Sequence, residues 1–105
     1  MAKVVVEAGV CGFVTTIEAV PQEGYQLKLT IDTPCPSLQP LAAELTAVDG
    51  RKVCFAQIGD SEIFAAARKY CRHAACPVPT AIHKAAEVAC NFALPKDVRM
   101  TITKE

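Results

Sequence analysis

The sequence predicts a two-layer α+β sandwich. Its mainly antiparallel sheet has about four strands with three helices on one face, in the order β-β-β-α-α-α-β. Three observations predict it. Apolar and polar residues alternate in the first third, apolar residues recur at helical spacing through the middle, and alternation returns near the end. A sheet with one polar face must cover the other, and three amphipathic helices suit that task. The chain has 105 residues, 51% of them hydrophobic, with no linker or low-complexity tract. It reads as a single domain over residues 1–105, long enough to bury a core without staples.

The elements follow in order. Residues 3–8 form a first strand, joined by a turn at Gly9 and Gly12 to a β-branched second strand over residues 13–20. Pro21 and Gly24 supply a second turn. In residues 25–32, Tyr25, Leu27, Leu29 and Ile31 alternate with Gln26, Lys28, Thr30 and Asp32, the period of a half-buried strand. Leu38, Leu41, Ala42, Leu45 and Val48 then make a helical stripe, with Asp49 and Gly50 as its stop. Residues 52–58 read either as an extra edge strand or as a connector. Ile63, Phe64, Ala67, Tyr70 and Cys71 mark a second helix, capped by Asp60 or Ser61. A third helix spans 80–92, with His83, Lys84, Glu87 and Asn91 on one polar arc facing water. In residues 97–103, Val98, Met100 and Ile102 alternate with Arg99, Thr101 and Thr103, which predicts a final strand.

Charge excludes some partners. Eleven basic and eleven acidic residues cancel, so an electrostatic grip on nucleic acid or an anionic membrane is not expected. No apolar run approaches the ~20 residues of a membrane span, and the apolar start is too short for a signal peptide. The expected location is cytoplasmic. Any protein partner and the oligomeric state stay open.

Six cysteines stand out in such a chain. In a reducing compartment they are core filler, metal ligands or redox thiols rather than disulfides. Strand and helix directions sort them. If residues 52–58 are a connector, Cys11, Cys35, Cys71 and Cys76 converge on one rim, with His73 in the same turn as Cys76. Cys54 and Cys90 lie at the other end and read as packing residues. If 52–58 are a strand in the sheet, the second helix reverses and the cluster dissolves.

Local context favours the rim thiols. Cys35 and Cys76 each precede a proline and a predicted helix. A thiol at a helix N-terminus has a lowered pKa. Arg68, Lys69, Arg72 and His73 around Cys71 push the same way. Cys11, Cys35, Cys71 and Cys76, or three of these thiols with His73, suit tetrahedral Zn²⁺ or an iron–sulfur cluster. No paired Cys-x-x-Cys knuckle, P-loop or Gly-x-Ser-x-Gly is present.

Gly9, Cys11, Gly12, Phe13 and Thr15, with Cys35, Pro36 and the run from His73 to Pro79, carry a resemblance. The chain resembles a family of small, uncharacterised cysteine-containing proteins of prokaryotes, many of them anaerobes. The resemblance implies a prokaryotic cytosolic setting and brings no established activity, cofactor or site. The thiols make the expectation a small metal- or iron–sulfur-binding protein, with Cys11, Cys35 and Cys76 as ligands and Cys71 or His73 completing the set. The alternatives are a thiol-active enzyme or sulfur carrier using Cys76 or Cys35, and an interaction module with incidental thiols.

Overall fold

A computed structural model describes all 105 residues. Strands β1 (Ala2–Glu7), β2 (Val14–Pro21) and β3 (Gln26–Asp32) are followed by helix α1 (Gln39–Glu44) and a short strand β4 (Ala47–Asp49). Helices α2 (Gly50–Phe55), α3 (Glu62–Tyr70) and α4 (Val78–Ala89) complete the chain. The sheet order is β1-β2-β3-β4, with every neighbouring pair antiparallel. The α+β class holds, with a four-stranded antiparallel sheet. There are four helices, and the fourth strand lies between α1 and α2 rather than at the C-terminus.

Alternation fixes the register of the first three strands. Ala2 pairs with Ala19 and Glu7 with Val14, while Thr16 pairs with Asp32 and Pro21 with Leu27. In β3, Leu27, Leu29 and Ile31 are buried and the residues between them are exposed. One sheet face is therefore core, because a one-residue slip would put all three side chains in water.

Helix α4 lies over β1 and β2. Its buried face is Val78, Ala81, Ile82, Ala85 and Ala86. The alanines let the helix approach the sheet, and Ile82 and Val78 are fully buried. Each fully buried aliphatic side chain contributes roughly 1.5–3 kcal/mol. The helix ends three residues before the predicted Phe92, because Asn91 adopts φ 61. Phe92 N–H then donates to the Glu87 carbonyl and Asn91 N–H to that of Val88, a Schellman ending.

The stripe read as one helix through Val48 belongs to two elements. Leu45 leaves the helical region at φ −94, ψ 74, and Val48 enters β4 opposite Leu27. Leu41, Leu45 and Val48 are all buried, so their spacing reflects a shared core. Asp49 starts α2 rather than stopping α1. Its carboxylate accepts from Arg51 and Lys52 N–H at 3.0 and 3.2 Å. Residues 52–58 are thus the rest of α2 and a connector.

Residues 97–103 form no strand. Val98, Met100 and Ile102 are exposed. The molecule extends 47 Å along one axis and 28 and 24 Å along the others. No helix is long and apolar enough to cross a membrane.

Candidate thiol site at one end of the sheet

Glu7, Val14 and Asp32 lie at one end of the sheet, called here the rim. The opposite, lower end carries the β2–β3 turn and Asp49.

Cys35 follows β3 at the rim. Thr15 Oγ1 donates to Thr33 Oγ1 at 2.9 Å, and both threonines are buried. Thr33 Oγ1 in turn accepts Cys35 N–H at 3.2 Å. The Cys35 carbonyl then accepts from Leu38 and Gln39, where α1 begins. A polar chain running from β2 thus fixes the Cys35 N–H, and the start of α1 fixes its carbonyl.

Cys71 caps α3, its N–H donating to the Ala67 carbonyl. Cys76 closes the α3–α4 turn by donating its N–H to the His73 carbonyl. Pro77, not Cys76, occupies the cap position of α4, so Pro79 still falls in the free first turn.

The structure brings Cys35, Cys71 and Cys76 together. Burial pushes the Cys71 thiol up to about 11, and the neighbouring Cys76 and Cys35 thiols add to the rise. Expected basic neighbours do not reverse this. Arg68, Lys69 and Arg72 are exposed to screening water. Lys69 is also paired with Glu44 at 2.7 Å. A lowered Cys71 pKa is therefore corrected to a raised one, with desolvation as the cause.

Cys11 sits exposed in the β1–β2 turn at the same end of the sheet. Gly9 and Gly12 bracket it at φ +92 and +75, and Gly12 N–H donates to the Gly9 carbonyl. His73 is exposed in the α3–α4 turn. No three His, Cys, Asp or Glu side chains are arranged to hold one metal ion as they stand.

At the lower end, Cys54 of α2 and Cys90 after α4 are half-buried against the core. Burial, then Cys90 and Glu87, push the Cys54 thiol up to about 11. Burial and Asp49 raise Cys90 as well.

One arrangement escaped the sequence. His83 does not simply face water. Its Nε2 lies 2.7 Å from Ser61 Oγ and its Nδ1 2.7 Å from the Pro79 carbonyl. The carbonyl requires the proton on Nδ1, so Nε2 accepts from the serine hydroxyl. Burial lowers the His83 pKa, against the Pro79 bond and Glu87. A shallow cleft of about 200 Å³ opens beside His83, Cys54 and Phe64. The pair has a serine–histidine geometry, yet Ser61 is only 4% exposed and its Oγ already accepts Phe64 N–H. It pins the start of α3 to α4. The capping serine was the legible half of this pair.

Comparison with curated proteins and with solved structures yields no match. The family model described as "Family of unknown function (DUF6951)" matches residues 2–102. That match covers nearly the whole chain, which belongs to this family.

Proposed function

We propose that this chain holds a metal centre in thiolate ligands at the rim. Cys35, Cys71 and Cys76 are the ligands, and Cys11 or His73 completes the set. The observation that carries the proposal is the placement of three half-buried thiols, Cys35, Cys71 and Cys76, at one end of the sheet, with Cys71 neighbouring the other two. Burial is the main reason Cys71 holds its proton, and the neighbouring thiols add to it because two thiolates repel. A bound cation removes that repulsion and deprotonates its ligands outright.

The thiols do not converge on one ion as they stand, so a single Zn²⁺ would have to draw them inward. Tetrahedral Zn–S bonds of about 2.3 Å leave little slack. An iron–sulfur cluster spans more space, reaches ligands set farther apart, and is the preferred occupant. Cys11 is the ligand best placed to adjust, since its turn is glycine-flanked and exposed. An oxygen-sensitive cluster would also suit an anaerobic setting, in which many members of the resembled family live.

The test is iron, sulfide and zinc analysis of anaerobically purified protein, with its visible spectrum. Stoichiometric metal is expected, lost in Cys35→Ser, Cys71→Ser and Cys76→Ser and kept in Cys54→Ser and Cys90→Ser. Metal-free protein that takes up neither added zinc nor iron with sulfide overturns the proposal. If such protein also alkylates rapidly at Cys76 or Cys35 near neutral pH, the thiol-enzyme or sulfur-carrier reading replaces it. Uniformly inert thiols leave an interaction module.

A further inference from the structure

Two features of the chain are each incomplete. β1 is an edge strand paired on one side only, with β2. Its Val4 and Val6 lie on the partly buried face, while Lys3, Val5 and Glu7 point to the open face. An open edge presents unpaired N–H and C=O groups to any strand that can reach it. The C-terminal segment is the complementary object. It has the period of a strand, with Val98, Met100 and Ile102 exposed and no ladder to join.

We propose that two copies of this chain exchange their C-terminal segments. Residues 98–103 of each add antiparallel to β1 of the other as a fifth strand. The charges choose this pairing over the chain's own edge. Leu94 and Pro95 border the same shallow depression as Met1 and Pro21, so the segment leaves beside the start of β1. From there it could run along its own β1 only in parallel, and a strand that starts level with Met1 brings Arg99 near Lys3. An antiparallel strand must arrive from the Glu7 end, and only a second copy brings one there.

The register that we assign sets Arg99 opposite Glu7, Thr101 opposite Val5 and Thr103 opposite Lys3 on the open face. Met100 and Ile102 meet Val6 and Val4 on the face covered by α4. The exchange extends the core and pairs the open edge of β1 in each copy, and opposite charges on facing strands favour it. It is isologous, so one contact occurs twice in a closed dimer. The 47 Å long axis fits a segment that leaves its own domain.

Sedimentation of the full chain tests this. A dimer of twice the 11.2 kDa chain mass is expected at micromolar concentration. Met100→Asp should give a monomer with an unchanged far-ultraviolet circular dichroism spectrum, since Met100 is exposed within its own chain. Arg99→Glu and Glu7→Arg should each weaken dimerisation roughly tenfold, and the double variant should restore it. Amides of residues 98–103 should gain exchange protection with concentration. A monomer throughout, a dimer indifferent to Met100→Asp, or protection independent of concentration would each overturn the exchange. The last outcome is that of a segment folded onto its own β1.

Discussion

At the rim, Cys71 is half-buried beside two other thiols. At the lower end, Cys54 is half-buried beside one thiol and a carboxylate. Burial is the leading cause of the raised thiol pKa in both, and both reach about 11. The neighbourhoods differ in kind. The rim thiols sit at or beside helix ends, held by backbone bonds and by the Thr15–Thr33 pair. The lower thiols sit between α2 and α4, with Cys90 against Gly50. A raised pKa therefore does not distinguish a ligand set from packing. The surroundings do: the rim offers several sulfurs and turns that can adjust, and the lower end offers a fitted interface.

The sharpest break of this comparison is at Gly50. A Cβ there would overlap Cys90 Sγ and lie 3.0 Å from the Tyr25 carbonyl oxygen. The backbone oxygen cannot withdraw, because it accepts Gly50 N–H at 2.8 Å. Gly50→Ala should destabilise the fold by about 3 kcal/mol, at the upper end of overpacking costs. Cys90→Ala should restore part of that loss by removing the sulfur. Thermal unfolding checks both. If Gly50→Ala unfolds like wild type, the lower end is loose, and its thiols are no better defined as packing than those of the rim.

The rim has its own weak point. Thr33→Val removes the acceptor for both Thr15 Oγ1–H and Cys35 N–H. Leaving buried donors unsatisfied costs about 2 kcal/mol. Denaturant unfolding should show that loss. If metal binding persists undiminished in this variant, Cys35 does not need its backbone held, and the rim is less preorganised than its hydrogen bonds imply.

Much of this was legible from residues whose neighbours in sequence are their neighbours in space. Period-two alternation located β1, β2 and β3, and strand direction placed Cys35, Cys71 and Cys76 at one end. The errors share a cause. Leu45 and Val48 continued the stripe of Leu41 because all three reach the same core, although the backbone turns at Leu45. Residues 97–103 alternate, but alternation describes a capacity to pair and says nothing of where the partner strand is. His83 looked solvated because no sequence pattern places Ser61 opposite it. The lowered thiolate pKa expected at Cys71 failed because charges near in sequence point to water, whereas burial depends on the fold.

The smallest effect separates the two ends by pH. Cys71 and Cys54 each rise from 9.0 to about 11 on folding. Below pH 9 both are protonated in folded and unfolded chains, and their contribution to stability is fully present. Between 9 and 11 the unfolded chain loses these protons while the folded chain keeps them. Unfolding then releases protons, so stability falls as pH rises through that window. Both thiols are only partly buried, so solvent screens the effect and keeps the slope shallow. Cys54→Ala and Cys71→Ala should each flatten part of it in denaturant titrations at pH 8 to 11. Added zinc tells the ends apart. At the rim it would make Cys71 a thiolate already at neutral pH and abolish that share of the slope. At the lower end the share carried by Cys54 should persist, because Cys54 and Cys90 offer two sulfurs in a packed interface and Glu87 only adds charge. If neither zinc nor iron with sulfide removes the Cys71 share, or if either removes that of Cys54, the distinction between the two ends is erased.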